Sequence, residues 1–155
     1  MKNIILALVL CTFGGIAYAE TAEEIEQYIG LLRSDLQTEK VQLITVNMQF
    51  SVEESASFWP VYNKYQTEWK KIGDKRMALI KDYAENYDAM TDAKAAELTG
   101  KALDLESQRI DLLKKYVPEF SKALTAKRVA RLVQVENQIN RLIDVQIAEG
   151  IPLAK

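Results

Sequence analysis

The sequence predicts an all-α protein, an elongated antiparallel domain of four long helices. Apolar residues recur at spacings of three and four along most of the chain after residue 19, and capping sequences precede several of these segments. The connections between the segments are only a few residues long, which favours antiparallel neighbours. Periodicity leaves open whether the helices close into an up-down bundle or form an open layer that dimerises.

The first residues have the organisation of a signal peptide. A lysine near the start precedes an apolar run over residues 4–13, and AYA at 17–19 is a small-x-small cleavage sequence. The run is shorter than the roughly 20 apolar residues that cross a bilayer, so a membrane anchor is the weaker interpretation. We expect residues 1–19 to be removed and residues 20–155 to form one helical domain with no membrane span. The expected location is periplasmic or secreted.

The first helix is predicted over roughly residues 22–49, where TAEE at 21–24 is a capping box. Apolar side chains follow at helical spacing: Ile25, Tyr28, Ile29, Leu32 and Leu36. The continuation VQLITVNMQF also alternates as in a strand. We prefer a helix there, because a lone strand would have no partner.

The second and longest helix is predicted over roughly residues 52–88, after the capping box SVEE at 51–54. Its apolar face consists of Phe58, Tyr62, Tyr65, Trp69, Ile72, Leu79, Ile80, Tyr83 and Tyr87. We interpret the aromatic members as core, because they share one face. Pro60 lies in the early turns and predicts a kink or a restart.

Two residues of the second helix lie off that face. Trp59 is roughly 100° around the helix from Phe58, and Met77 lies further along the same line. They are predicted either to cover the end of a neighbouring helix or to form a surface for a partner protein.

The third and fourth helices are predicted over roughly residues 92–123 and 126–148. Thr91 is the expected cap of the third helix, while Gly150 and Pro152 are expected to end the fourth.

Charged residues interrupt the apolar stripes near the middle of the helices. Glu136 and Asn140 lie in the stripe of the fourth helix. Arg76 and Arg109 lie in those of the second and third, and Glu39 is near that of the first. Because the midpoints of antiparallel helices meet at one level, we expect a charged layer in which Glu136 pairs with Arg109 or Arg76 and Asn140 completes it. A catalytic acid and a metal ligand are the alternative roles for Glu136.

The composition disfavours most enzyme classes. The sequence contains no histidine, and its one cysteine, Cys11, falls in the predicted signal peptide. Histidine-based metal sites and Ser-His-Asp triads are therefore excluded. We expect no enzyme activity, no cofactor and no metal, with carboxylate-only binding of a divalent cation left open. The balance of 20 basic and 22 acidic residues also argues against a nucleic-acid partner.

Two short segments carry a family resemblance. LTAKR at 124–128 opens the fourth helix, and FSVEE at 50–54 opens the second. With the export signal and the all-helical pattern, the chain resembles the Spy/CpxP-like periplasmic family, which is characterised by LTxxQ motifs. LTAKR has arginine where that motif has glutamine.

The resemblance implies an antiparallel helical dimer that acts as an ATP-independent chaperone or as an inhibitor of an envelope-stress sensor. We therefore expect a non-enzymatic interaction protein whose partner is an unfolded client or a sensor domain, with a homodimer as one open arrangement. The alternatives are a structural or scaffold module and a carboxylate-based metal-binding protein.

Overall fold

The computed structural model describes residues 39–154, and within that range the chain is helical with no strand. We name the helices α1 (39–48, as far as it is described), α2 (Val52–Asn86), α3 (Asp92–Phe120) and α4 (Ala126–Glu149). A single 3-10 turn, Tyr87–Ala89, joins α2 to α3. The all-α fold class is confirmed. The predicted signal peptide and residues 22–38 of the predicted first helix lie outside the described residues.

The observed helix bounds follow the capping signals. Ser51 caps α2 with a complete capping box, in which its side chain accepts from the Glu54 backbone N–H and the Glu54 carboxylate accepts from the Ser51 N–H. Helix α2 is 35 residues long and spans about 50 Å. It continues through Pro60 without the restart that the sequence suggested. Helix α3 ends at Phe120, three residues before the predicted end at 123.

Contacts between side chains show that α2 and α3 are antiparallel. Glu68, in the first half of α2, pairs with Lys115 near the end of α3. Asp82, near the end of α2, pairs with Lys94 at the start of α3. The short turn between the two helices requires this arrangement.

Helix α4 runs parallel to α2 and closes against it. Tyr62 contacts Glu136 near the start of both helices, and Tyr83 donates to the Pro152 carbonyl near their ends. Parallel neighbours in contact are the diagonal partners of an up-down arrangement.

Helix α1 lies antiparallel to α4. Lys40 pairs with Glu136, while the Met48 carbonyl at the other end of α1 accepts from Arg128. Within the described residues, α1 therefore covers only the end of the molecule that contains the start of α2 and of α4. We call this the four-helix end.

The core of the four-helix end is aromatic. Five rings pack within it with neighbouring centroids 5.1–6.3 Å apart: Phe58, Tyr62, Tyr65, Tyr116 and Phe120. All five side chains are buried, which confirms Phe58, Tyr62 and Tyr65 as core residues. Ile44 and Met48 of α1 complete this cluster.

Ser51→Ala should lower the free energy of unfolding by about 1 kcal/mol, because it removes the side chain that caps α2. Thr125→Ala is the matched control: Thr125 is also an N-cap, but its side chain makes no capping hydrogen bond. We expect a smaller loss there. Urea denaturation followed by circular dichroism measures both, and equal losses would contradict the assigned role of the capping box.

Candidate functional site

Glu136 is the most deeply buried charged residue in the described part of the chain, with 0% of its surface exposed. Helix α4 places it on the face that packs against α2 and α1. Its Oε1 accepts a hydrogen bond of 2.5 Å from the Tyr62 hydroxyl, and Oε2 accepts one of 3.3 Å from the Tyr65 hydroxyl. Both carboxylate oxygens are therefore engaged by donors from α2.

Lys40 of α1 supplies the counter-charge. Its Nζ lies 2.9 Å from Glu136 Oε2, and only 4% of the lysine is exposed. The ammonium approaches the carboxylate off the hydrogen-bond direction and also lies 4.8 Å from the centre of the Trp69 ring. Charge attraction and a cation–π contact thus hold the lysine in place. We call Lys40, Tyr62, Tyr65 and Glu136 the buried acid cluster.

The tyrosines of the buried acid cluster remain protonated hydrogen-bond donors. Burial raises the pKa of Tyr62 far above its usual range, and the nearby negative charge of Glu136 raises it further. The same two causes, in the same order, raise the pKa of Tyr65. Gln66 donates a 2.7 Å hydrogen bond to the Tyr62 oxygen, so that hydroxyl both accepts and donates.

Arg76 and Arg109, the two arginines predicted for the charged layer, form ion pairs with Asp144 and not with Glu136. Arg76 pairs with Asp144, and Arg109 Nη2 lies 3.2 Å from Asp144 Oδ2. Arg109 also pairs with Glu106 of its own helix at 3.0 Å. The predicted pairing of Glu136 with Arg109 or Arg76 is therefore wrong. Asp144 lies eight residues beyond Glu136, or about 12 Å along α4, and the arginines are at that level.

The other residues predicted for the charged layer divide between core and surface. Asn140 is buried one turn beyond Glu136, but its Oδ1 accepts no hydrogen bond from any described residue. Glu39 is exposed and does not join the layer, because its neighbour Lys40 takes the inward position on α1.

Trp59 and Met77, predicted as a helix cover or a partner surface, are both partly buried. Trp59 packs edge-on against Phe50 and Phe58, with ring centroids 5.9 and 5.1 Å away. It therefore covers the junction between α1 and α2.

Sequence reasoning missed Lys40 and Asp144 as partners. A signal for Lys40 was present, because it precedes Ile44 and Met48 by four and eight residues and so shares their inward face. Asp144 lies off the centre of the α4 stripe, and periodicity alone does not select it.

The geometry of the buried acid cluster suits a structural role better than catalysis. A substrate would have to displace the tyrosines and the lysine to reach the carboxylate. Residues 39–154 contain no group of three or more side chains arranged to hold a metal ion. An apolar cleft of about 270 Å³ lies between α2, α3 and the segment after α4. The hydroxyl of Tyr83, which lines this cleft, already donates a hydrogen bond to the Pro152 carbonyl.

Comparisons with protein-family models, with curated proteins and with solved structures found no match to this chain. Among the described helices, none combines the length and the apolar character needed to span a bilayer. The candidate site is therefore interpreted from its own geometry.

Glu136→Gln should lower the free energy of unfolding by roughly 3–5 kcal/mol, because it leaves the Lys40 charge buried without its partner. Asp144→Asn is the control. The Asp144 side chain is 34% exposed, so we expect a loss of about 1 kcal/mol or less there. Chemical denaturation measures both values.

Replacing the pair together, with Lys40→Met and Glu136→Leu, should recover part of the loss because no unpaired charge remains. Recovery is incomplete, since Tyr62 and Tyr65 lose their acceptor. If Glu136→Gln unfolds at the same denaturant concentration as the parent, the ion pair does not support the fold.

Tyr62 and Tyr65 should resist ionisation until the protein unfolds in alkali. Their folded-state pKa values lie above the ordinary value of 10.0. The stability they contribute is thus fully present below that pH and is lost as the pH rises beyond it. Tyrosinate absorbance and circular dichroism, recorded together, measure this. Tyr62→Phe and Tyr65→Phe should each remove one late-ionising group, whereas ionisation of all six tyrosines of residues 20–155 near pH 10 with helicity intact would contradict it.

Proposed function

We propose that the protein is a non-enzymatic, exported interaction protein that binds apolar segments of unfolded proteins in the manner of a chaperone. The observation that carries this proposal is the outer surface of α1, where Leu43 and Val46 lie about 60° apart around the helix axis and away from the buried side chains. Leu43 and Val46 are 42% and 69% exposed, although the inner face of the same helix already places Ile44 and Met48 in the core. Exposed apolar side chains on the side of a helix opposite its buried face favour a binding partner there.

The polar groups of the interior support a binding role over a catalytic one. The charge of Glu136 is neutralised by Lys40, and both side chains are almost fully enclosed. Their arrangement connects α1 to α4 and keeps the Glu136 carboxylate away from solvent. Binding by the apolar outer surface requires none of these groups.

The signal-peptide sequence at the start of the chain and the resemblance to Spy/CpxP-like proteins support an envelope location. The same resemblance supports an envelope-stress sensor as another partner. A sensor domain that buries apolar side chains would use the same outer surface of α1.

Replacing Leu43 and Val46 together with glutamine should weaken suppression of client aggregation several-fold, because it removes apolar contact area without altering the core. Leu142→Gln with Val145→Gln is the matched control. It changes a leucine and a valine at the same spacing on α4, and these are 64% and 57% exposed. Light scattering of a chemically unfolded client, without ATP, measures the effect.

If both double variants suppress client aggregation equally well, the outer surface of α1 is not the client-binding surface. No suppression by the parent protein at several-fold excess over client would reject the chaperone activity itself. Recovery of one constant partner in stoichiometric amount would favour a scaffold module, and a metal in the purified protein by elemental analysis would favour the carboxylate-based alternative.

A further inference from the structure

The linker between α1 and α2 contains a strained residue. Gln49 has a φ of 46°, the one positive φ at a non-glycine residue within 39–154. An L-residue in this left-handed region brings its Cβ close to the following carbonyl oxygen, which is unfavourable. The three residues 49–51 thus reverse the chain direction in a conformation that glutamine rarely adopts.

The described part of α1, residues 39–48, is held to the rest of the molecule by a small set of contacts. Ile44 and Met48 are buried against the core, and Lys40 pairs with Glu136. Arg128 Nη2 donates to the Met48 carbonyl at 2.7 Å. The two polar contacts join α1 to α4, and none of these contacts requires that α1 belong to the same copy of the chain.

The surface beneath α1 requires a covering segment with both apolar side chains and a positive charge. It combines aromatic side chains of α2 with the carboxylate of Glu136, which is costly to leave in a low-dielectric site without a cation. The matching segment is a helix with a lysine followed at four and eight residues by apolar side chains. Lys40, Ile44 and Met48 supply that pattern.

We infer that α1 exchanges between two copies of this chain, giving a dimer in which Lys40 of each protomer pairs with Glu136 of the other. Straightening residues 49–51 releases the strain at Gln49, while the contacts under α1 are made again in the partner. Short strained linkers favour such exchange. The exchange uses the inner face of α1, so it is independent of client binding at the outer face.

A mixture of charge-reversed chains tests the exchange. Lys40→Glu places two acids together in its own chain, and Glu136→Lys places two cations together. If α1 exchanges, one site of the mixed dimer has the native Lys40–Glu136 pair and the other has the reversed pair. Refolding the two variants together should then give a species of twice the chain mass that melts above either variant alone. Melting of the mixture as the sum of its two components would overturn the inference.

Variants of the linker test the exchange without changing the buried pair. Proline at position 49 cannot adopt a positive φ, so Gln49→Pro should favour the exchanged dimer. Gln49→Gly relieves the strain and should favour the monomer. The dimerisation equilibrium constant should fall about tenfold for each of the two linkers whose strain is relieved. Light scattering after size exclusion over a range of concentrations gives the dimer fraction. A monomer at every concentration in the parent and in both variants would overturn the inference even if the charge-reversed chains fail to fold.

Discussion

The carboxylate of Glu136 is placed where water does not reach it, and the arrangement of three helices follows from the need to neutralise it. Helix α1 provides the lysine and α2 provides two hydroxyl donors, while α4 carries the acid. A shift of any one helix by a turn, about 5.4 Å, would break at least one of these contacts. The buried charge thus fixes the axial register of the four-helix end, where apolar side chains alone tolerate several offsets.

Most of the fold was predictable because local signals agree with the packing. The capping sequence at Ser51 and the cap at Thr91 mark helix starts that the structure reproduces. The aromatic face of α2 is the core of the four-helix end, as its spacing indicates. Pro60 is the exception: α2 continues through it, and the residues two before and two after it, Phe58 and Tyr62, are both buried in the core.

The candidate site was predicted less completely. Periodicity places Glu136 on an inward face, and the structure confirms that it is buried. Choosing its partner needs the axial offset between helices, which a single sequence does not contain. Arg76 and Arg109 met the same angular criterion as Lys40 but lie at the level of Asp144. The direction around α2, α3 and α4 could be predicted, whereas the height along them could not. On α1 the direction was also missed, since Lys40 and not Glu39 faces inward.

The contacts that close α2 come from residues made much later in synthesis. The hydroxyls of Tyr83 and Tyr87 donate to the carbonyls of Pro152 and Leu153. The Tyr62 hydroxyl donates to Glu136, which is 74 residues further along the chain. At about 5–20 residues per second, α2 exists for several seconds before α4 has been made. In that interval only α1, which precedes it, and α3, which follows it, are available among the described helices to cover it. Helices α1, α2 and α3 can therefore pack together before α4 is made, and the part of the α2 aromatic face that α4 later covers stays open to wrong partners while the chain is incomplete.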